Sequence, residues 1–554
     1  MFDSNLNPDQ RAEDLVRLGK EHFDVLVIGG GINGVGVALD AATRGLSVAL
    51  IEADDFASGT SSRSSKLIHG GLRYLEQYDF GLVREALNER ELMVTSLAPH
   101  LVKPVPFLYP LQEKFKERTY VGAGMTLYDA LRGFKRALPW HKHLSQKRIR
   151  EIAPSLRLDV VTGGYQYFDA KVDDARHTMM IARTAAKYGA QIATRTVCTA
   201  VTKEGKRVTG VKARDLVTNE EFAIKSRVTI MAAGVWTDDL YRSFEIKPGY
   251  SVRMSKGAHI VVPGSAIKAE TGVIIKTDVS VLFIIPWGDK WIVGTTDTDY
   301  QADPNSPMAT REDVTYIINQ ANRVLEPKLD RSQVIGVFAG LRPLVSTDPD
   351  SPTTELSREH VVDHPVPGFV TIAGGKYTTY RVMAEDAVDS AVVDLKRIVP
   401  DSCTETLPVI GAEGYEVLRN KANEFATRMG MKVESINHLI DRYGSLFEEV
   451  LEISTGDRSL LNAIIPGLPY LKAEIIYSAT HEGALSVSDV LSRRTRISFE
   501  DREQGLLVAD EVATLIGNEL GWSEIEREQS LSEYRAQIQL QNDQLASLVT
   551  EKVS

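Results

Sequence analysis

Cysteine is nearly absent, Cys198 and Cys403 being the only two in 554 residues. That excludes a disulfide scaffold and a thiolate metal cluster, and it fits a reducing compartment. Long apolar runs are missing too. The most apolar stretch near the N-terminus, Phe23 to Ala42, is interrupted by Asp24, Asn33, Asp40 and several glycines. No uninterrupted run reaches the roughly 18 residues that a membrane span requires. The opening MFDSNLNPDQRAEDLVRLGKEHF is polar and of mixed charge, so it is not expected to act as a signal peptide. Nor is there an excess of positive charge. With a net charge of −11 and a pI near 5.6, no global field attracts nucleic acid, and any anion site must be a local concentration of Arg and Lys. Repeats and low-complexity tracts are absent, and no metal site is expected.

What is present is the composition of a globular protein, 43% hydrophobic and 25% charged, in a chain too long for one core. After a short polar helix at 9–22, FDVLVIGGGINGVGVALDAATRGLSVALIEADD predicts a buried strand (Asp24–Ile28), a glycine turn, a helix (about Asn33–Arg44) and a second strand (Ser47–Glu52). Such a βαβ unit opens a parallel sheet. Helices are expected at Leu82–Ala98, Thr126–Arg136 and Arg176–Tyr188. Gln191–Thr202 reads as a strand, Val208–Arg214 and Glu221–Ile224 as a hairpin, and Val228–Ala232 as a further short strand. β-Branched residues are frequent from about 245 to 300, with strands expected at Val281–Pro286 and Trp291–Thr295 as part of a substrate-covering antiparallel sheet. Beyond Pro400 the periodicity is helical (Tyr415–Met429, Val433–Tyr443, Phe499–Leu520, Ile525–Leu545). The expected division is therefore a dinucleotide-binding region over 1–400, with about 75–190 and 240–345 contributing to the substrate part, and a helical domain over 401–554.

Gly29-Gly30-Gly31-Ile32-Asn33-Gly34 satisfies G-x-G-x-x-G between a strand and a helix, and Glu52 closes the next strand 18 residues beyond Gly34. Gly29 permits the tight turn, Gly31 admits a pyrophosphate to the backbone, Gly34 allows close helix–sheet packing, and Glu52 would accept ribose hydroxyls. This motif alone leaves NAD and FAD open. Two later turns favour a flavin: Ala233-Gly234-Val235-Trp236 after a strand, and Ala373-Gly374-Gly375-Lys376-Tyr377-Thr378-Thr379 leading into the helix Tyr380–Leu395. The second aims a helix N-terminus and free amides at one place, as a flavin accumulating negative charge needs. The segment from Gly59 to Leu75, rich in hydroxyls and broken by glycine, carries Lys66, His69, Arg73 and Tyr74 and could hold a diphosphate and a flavin edge.

Six segments, GGGINGVGVALDAATRGLSVALIE, SSRSSKLIHGGLRYLE, KGAHIVVP, IPWGDKWIVGTTDTDY, GLRPL with the following SREH, and AGGKYTTYR, spread over residues 29–381. In that order they resemble the FAD-dependent glycerol-3-phosphate dehydrogenases of the glycine-oxidase-like (D-amino-acid oxidase type) superfamily. The resemblance implies an α/β fold: a Rossmann-like FAD-binding domain, an antiparallel substrate-binding subdomain and a C-terminal α-helical domain. It implies that Gly29, Gly31, Asn33, Gly34 and Glu52 hold the AMP half of FAD, and that Thr60, Ser61, Ser62, Lys66, Leu67 and His69 lie along the diphosphate and flavin. Val197 would contact adenine, with Ala233, Gly234 and Trp236 close by, and Gly375, Lys376 and Thr378 would sit at the isoalloxazine. For the substrate, sn-glycerol 3-phosphate, it points to Arg73, Tyr74, Arg342, Arg358 and Lys376. Charge chemistry agrees, since a phosphate dianion in a partly closed pocket needs more than one cation and Arg supplies paired planar donors.

Oxidation of the secondary alcohol to dihydroxyacetone phosphate needs a hydride acceptor and a group that takes the hydroxyl proton or stabilises the alkoxide. His69 and His259 are candidates for taking the proton, Arg342 and Lys376 for stabilising the alkoxide. The family's dehydrogenases pass electrons to a membrane quinone and related oxidases to oxygen. The absence of room for a large insertion after GLRPL favours the dehydrogenase. Residues 132–150 hold seven Lys or Arg and no acid, interleaved with Phe134, Leu138, Trp140 and Leu144. That patch suits anionic lipid headgroups and peripheral attachment at the cytoplasmic face of a membrane, or alternatively contact between two copies in a homodimer. Arg493, Arg494 and Arg496 form a second cluster that could face either lipid or an acidic helix. The competing readings are a glycerol-3-phosphate oxidase, a non-catalytic FAD-binding protein, and an amine or 2-hydroxy acid oxidase.

Overall fold

The computed structural model describes residues 3–76, 78–133, 137–277, 281–346 and 359–546, without the side chains of Arg73 and Glu76. Two sheets organise it. The first runs in the order His360–Val366, Phe369–Gly374, Glu221–Met231, His22–Ile28, Val48–Ile51, Gln191–Ala193, and the last five of these strands are parallel. Their residues are apolar on both faces because both are covered, one by the helices Ile32–Thr43, Asp174–Lys187 and Tyr380–Leu395, the other by the strands Thr196–Glu204 and Arg207–Asp215 together with the helices Pro8–Lys20 and Thr237–Ser243. The helix Ile32–Thr43 lies between Tyr380–Leu395 and Asp174–Lys187 in one core containing Val35, Met180 and Ala387. The chain leaves the central strand His22–Ile28 first toward Val48–Ile51 and later returns on its other side as Glu221–Met231. Such a reversal opens a crevice at the carboxyl ends of the strands.

Among the described residues the second sheet has ten strands, built from 67–172 and 251–346. It is antiparallel, as expected, with one parallel join where Gly272–Lys276 runs beside Val102–Leu111. Residues 404–546 are helical and carry two cores of their own, one around Leu439 and Val450, the other around Val512 and Tyr534.

Several expected elements differ: Gln191–Thr202 is two strands, Gln191–Ala193 and Thr196–Glu204; Tyr415–Met429 is two helices, Tyr415–Asn420 and Ala422–Met429; and the helix expected at Thr126–Arg136 runs over Lys116–Leu131. Glu221–Ile224 and Val228–Ala232 form one strand, Glu221–Met231, because Lys225 and Arg227 are the solvent face of a continuous ladder rather than a break. That strand pairs antiparallel with Arg207–Asp215 over its first half and parallel with His22–Ile28 from Lys225 onward. The expected helix Phe499–Leu520 is divided into Ile497–Glu500 and Ala509–Leu520 by a turn in which Gln504 and Gly505 are left-handed (φ 54° and 75°). Asp501 holds that turn by accepting the Gly505 amide at 2.9 Å. The expected basic patch is thinner than its sequence suggests. Arg132 is buried and donates to Asp129 and to the Pro139 carbonyl, both at 3.2 Å, and Leu138 is buried beside it. Phe134, Lys135 and Arg136 lie outside the described residues.

Gly34 fixes how closely helix and strand approach, since a Cβ there would lie 1.9 Å from the Gly29 carbonyl oxygen. Backbone cannot yield as a flexible side chain can. Gly34→Ala is therefore expected to cost about 3 kcal/mol or more in thermal or denaturant unfolding, and to lower the FAD content of the purified protein.

Candidate FAD and substrate site

The crevice opens into a cavity of about 740 Å³, within the range of cofactor sites. Four of the five parallel strands deliver their following turns to this cavity: Gly29 and Gly31 after His22–Ile28, Glu52 after Val48–Ile51, Ala233 and Gly234 after Glu221–Met231, and Gly375 and Lys376 after Phe369–Gly374. The second sheet supplies the opposite wall. There Ser255, Gly257 and His259 pair in register with Arg342, Gly340 and Phe338, so alternate residues of both strands share one face. Gly257 makes room for the arginine, because a Cβ there would fall 2.5 Å from Arg342 Nη2.

At the dinucleotide end, no side chain caps the helix Ile32–Thr43, although Ser61 Oγ accepts the Ile32 amide at 2.9 Å. The remaining first-turn amides suit a diphosphate. Glu52 lines the cavity, its carboxylate accepting the Gly30 amide at 2.5 Å and the Asp54 amide at 2.8 Å. Burial pushes its pKa up to about 7 against the opposing pull of those amides. Asn33, Thr60, Ser61, Leu67, His69, Val197, Trp236 and Thr378 also line the cavity. The glycine cradle, the first-turn amides of the helix beyond Ile32 and the buried Glu52 carboxylate together fit FAD.

Not every expected contact reaches the cavity. Gly34 acts behind the wall by packing. Ser62 is buried, and its carbonyl accepts from Lys66 at 3.0 Å. The Lys66 ammonium turns away to Asp174 at 3.1 Å and lies 4.6 Å from the centre of the Phe338 ring, so its side chain does not line the cofactor space as the resemblance implied. Arg358 and the Arg73 side chain lie outside what is described.

At the other end stand Arg342, Lys376, Tyr74, His69 and His259. Arg342 donates to Thr295 Oγ1 (2.9 Å), the Thr296 carbonyl (3.1 Å) and Ser255 Oγ (3.2 Å), with Asp297 3.6 Å away. Lys376 Nζ lies 3.6 Å from the centre of the Tyr74 ring, a cation–π contact. His259 is buried, stacks on Phe338 with ring centres 4.7 Å apart, and holds Ser65 Oγ at 2.9 Å through Nε2. Burial, then the charges of Lys66 and Arg342, keep its pKa well below the ordinary histidine value, so the ring is neutral at neutral pH. Ser65, Phe338, Thr295 and Asp297 were not singled out from sequence. The alternation of Phe338, Gly340 and Arg342 along one strand is the signal that could have found Phe338.

Glu52 carries a pH prediction. Ribose hydroxyls donate, so FAD favours the carboxylate. FAD affinity is expected to fall by up to about tenfold per pH unit below pH 7, until the pKa of the loaded form is reached. The FAD-free protein should show the opposite trend, because a carboxyl raised from 4.5 to about 7 contributes stability that is present below pH 4.5 and lost as pH rises through 7. Fluorescence titrations of FAD between pH 5.5 and 8 test this, and Glu52→Gln should flatten the curve.

Two family models match, one described as FAD dependent oxidoreductase over residues 24–381 and one as the C-terminal domain of alpha-glycerophosphate oxidase over 402–527. Glycerol-3-phosphate dehydrogenase 2 of Mycobacterium tuberculosis is 49% identical over 96% of this chain and 91% of its own length. The mitochondrial glycerol-3-phosphate dehydrogenase of Mus musculus is 37% identical, covering 95% of this chain and 75% of its own. Among solved structures, the glycerol-3-phosphate dehydrogenase from Bacillus halodurans complexed with FAD superposes with a TM-score of 0.80 at 28% identity, over 100% of both chains. The chain accordingly belongs to the FAD dependent oxidoreductases and, within them, to the glycerol-3-phosphate dehydrogenase family.

Proposed function

We propose that this chain oxidises sn-glycerol 3-phosphate to dihydroxyacetone phosphate with FAD and passes the electrons to a membrane quinone. The observation that carries the reading is a single cavity lined both by a dinucleotide cradle with Glu52 and by Arg342, Lys376, Tyr74 and His259. FAD, when bound, supplies the hydride acceptor at its flavin N5. The protein supplies the rest. His259, neutral and reaching Ser65 through Nε2, takes the proton by way of the Ser65 hydroxyl, which lines the cavity, gives its own proton to Nε2 and accepts that of the C2 hydroxyl. Arg342, its plane fixed by Thr295, Thr296 and Ser255, stabilises the negative charge that grows on the oxygen. Lys376 adds a second cation, and Arg73 and Arg358 are assigned to the phosphate through the family resemblance.

No helix among the described residues is long and apolar enough to cross a membrane, so the proposed attachment is peripheral. It uses exposed Trp140, Lys142, Lys147 and Arg150 together with Phe115 and Tyr120, which are 83% and 63% exposed. Tyr165 ties the two segments, donating to the Arg118 carbonyl at 3.1 Å and packing its ring 5.4 Å from His143. Each basic residue near an anionic surface contributes about 1 kcal/mol. Charge reversal at Lys142, Lys147 and Arg150 is expected to abolish sedimentation with anionic liposomes.

The decisive test is anaerobic bleaching of the flavin by sn-glycerol 3-phosphate, with glycerol and lactate as controls, followed by a quinone analogue or air. Rapid reoxidation by the quinone analogue supports the dehydrogenase. Peroxide release in air without added acceptor would make the protein an oxidase, and a flavin indifferent to the substrate would end the proposal.

A further inference from the structure

The arginine cluster of the C-terminal helical domain has no part in the chemistry above. Arg493, Arg494 and Arg496 are all buried, and they lie in and just beyond a π-helical turn over Val490–Arg494, a backbone form frequent at functional sites. Lipid is excluded as their partner, because their guanidiniums meet acids of the FAD-binding region. Arg494 grips both oxygens of Asp55 at 2.7 Å, and Arg493 Nε reaches the same carboxylate at 2.5 Å. Asp55 follows directly on Asp54, which lines the cavity and gives its amide to Glu52. Arg195 extends the grip by pairing with Asp54 and, at 2.8 Å, with Asp489, a partner of Arg493.

Arg496 acts at a second cavity loop. It donates to Asp173 at 2.9 and 2.6 Å and also pairs with Asp174. Asp174 accepts from the Ser64 amide at 3.0 Å, from Ser64 Oγ at 2.6 Å and from Lys66 at 3.1 Å. Ser64 and Ser65 line the cavity, and Ser65 holds His259. Burial alone would raise the carboxyls of Asp173 and Asp489, yet the arginines beside them hold both below the usual range. These groups are therefore charged, and the contacts are directional rather than merely space-filling.

Resting on FAD as the cofactor, we propose that the 493–496 segment completes the FAD site, with Arg494 and Arg496 as positioning residues. By gripping Asp55 and the Asp173–Asp174 pair they fix the two loops that line the cavity. FAD binding and docking of this segment are then linked, and linkage is reciprocal: whatever tightens one tightens the other.

The test uses full-length apoprotein titrated with FAD by fluorescence, so substrate turnover plays no part and failure of the proposed reaction would leave it readable. Coupling between sites commonly amounts to about 5- to 150-fold. Arg494→Gln and Arg496→Gln are each expected to weaken FAD binding by about tenfold or more, with partial recovery in Arg494→Lys. Val450→Ala, at a fully buried position on the helix Phe447–Glu452 of the C-terminal core, should lower Tm and leave FAD affinity unchanged. Because a charge deletion can prevent folding, the wild-type protein provides a second readout. Removal of FAD should accelerate amide hydrogen exchange over 490–496. Wild-type affinity in both glutamine variants, or equal protection of 490–496 with and without FAD, would overturn the proposal and leave the cluster as simple domain attachment.

Discussion

Arg342→Ala is expected to lower kcat/KM for sn-glycerol 3-phosphate by about 10²- to 10³-fold, the usual cost of removing one preorganised donor at a developing oxyanion, while the protein remains yellow. The expectation follows from how the side chain is held. Thr295, Thr296 and Ser255 accept from the guanidinium, so its plane is set before substrate arrives and little reorganisation accompanies reaction. Gly257 leaves the space that the Arg342 head occupies. Lysine offers a point charge without the fork that meets these acceptors, so Arg342→Lys should recover only a small part of the loss. Steady-state kinetics with a dye acceptor measure the effect, and flavin absorbance verifies cofactor content. A variant within about threefold of wild type would remove Arg342 from the reaction; the threshold lies far below the range expected for an oxyanion donor.

The cofactor half of this site was readable from sequence because its signals are local. Gly29 to Gly34 and Glu52 fall within one βαβ unit, where strand, turn, helix and second strand follow each other in the chain, and the helix start at Tyr380 came from the same kind of reading. The substrate wall is different. Arg342 and His259 stand 83 positions apart in the sequence, and only the antiparallel register that sets Ser255 against Arg342 and His259 against Phe338 puts them on one face. Residue types could nominate His259 and His69 equally. Stacking, burial and neighbouring charge distinguish them, and these are tertiary facts. The arginines at 493, 494 and 496 make the same point in reverse. Their spacing suits an exposed basic cluster as well as a buried one, and their acids, Asp55, Asp173 and Asp174, come from segments more than three hundred residues earlier. Lys66 was assigned to the cofactor by position in a motif, yet its left-handed backbone (φ 57°) accompanies a side chain directed into the protein toward Asp174.

His259→Ala is expected to slow anaerobic flavin reduction by sn-glycerol 3-phosphate by about 10²- to 10⁴-fold, the range for loss of a general base, whereas His69→Ala should leave the proton step intact. Stopped-flow absorbance separates the two. The pH dependence carries the sharper prediction. With burial first and the charges of Lys66 and Arg342 second, the ring is held well below the usual histidine range, so the acid limb of kcat/KM should fall well below pH 6.5. The same depression means that the unfolded chain binds this proton more readily than the folded one, and stability is lost as pH falls from 6.5 toward the folded value. Lys66→Met would remove one of the two charges while leaving Asp174 paired with Arg496. The acid limb should then move to higher pH, toward the ordinary histidine value, with the rate at pH 8 little changed. An acid limb that stays in place in Lys66→Met, or an unaltered reduction rate in His259→Ala, would show that the proton leaves by another route, and Lys376 would be the group to test next.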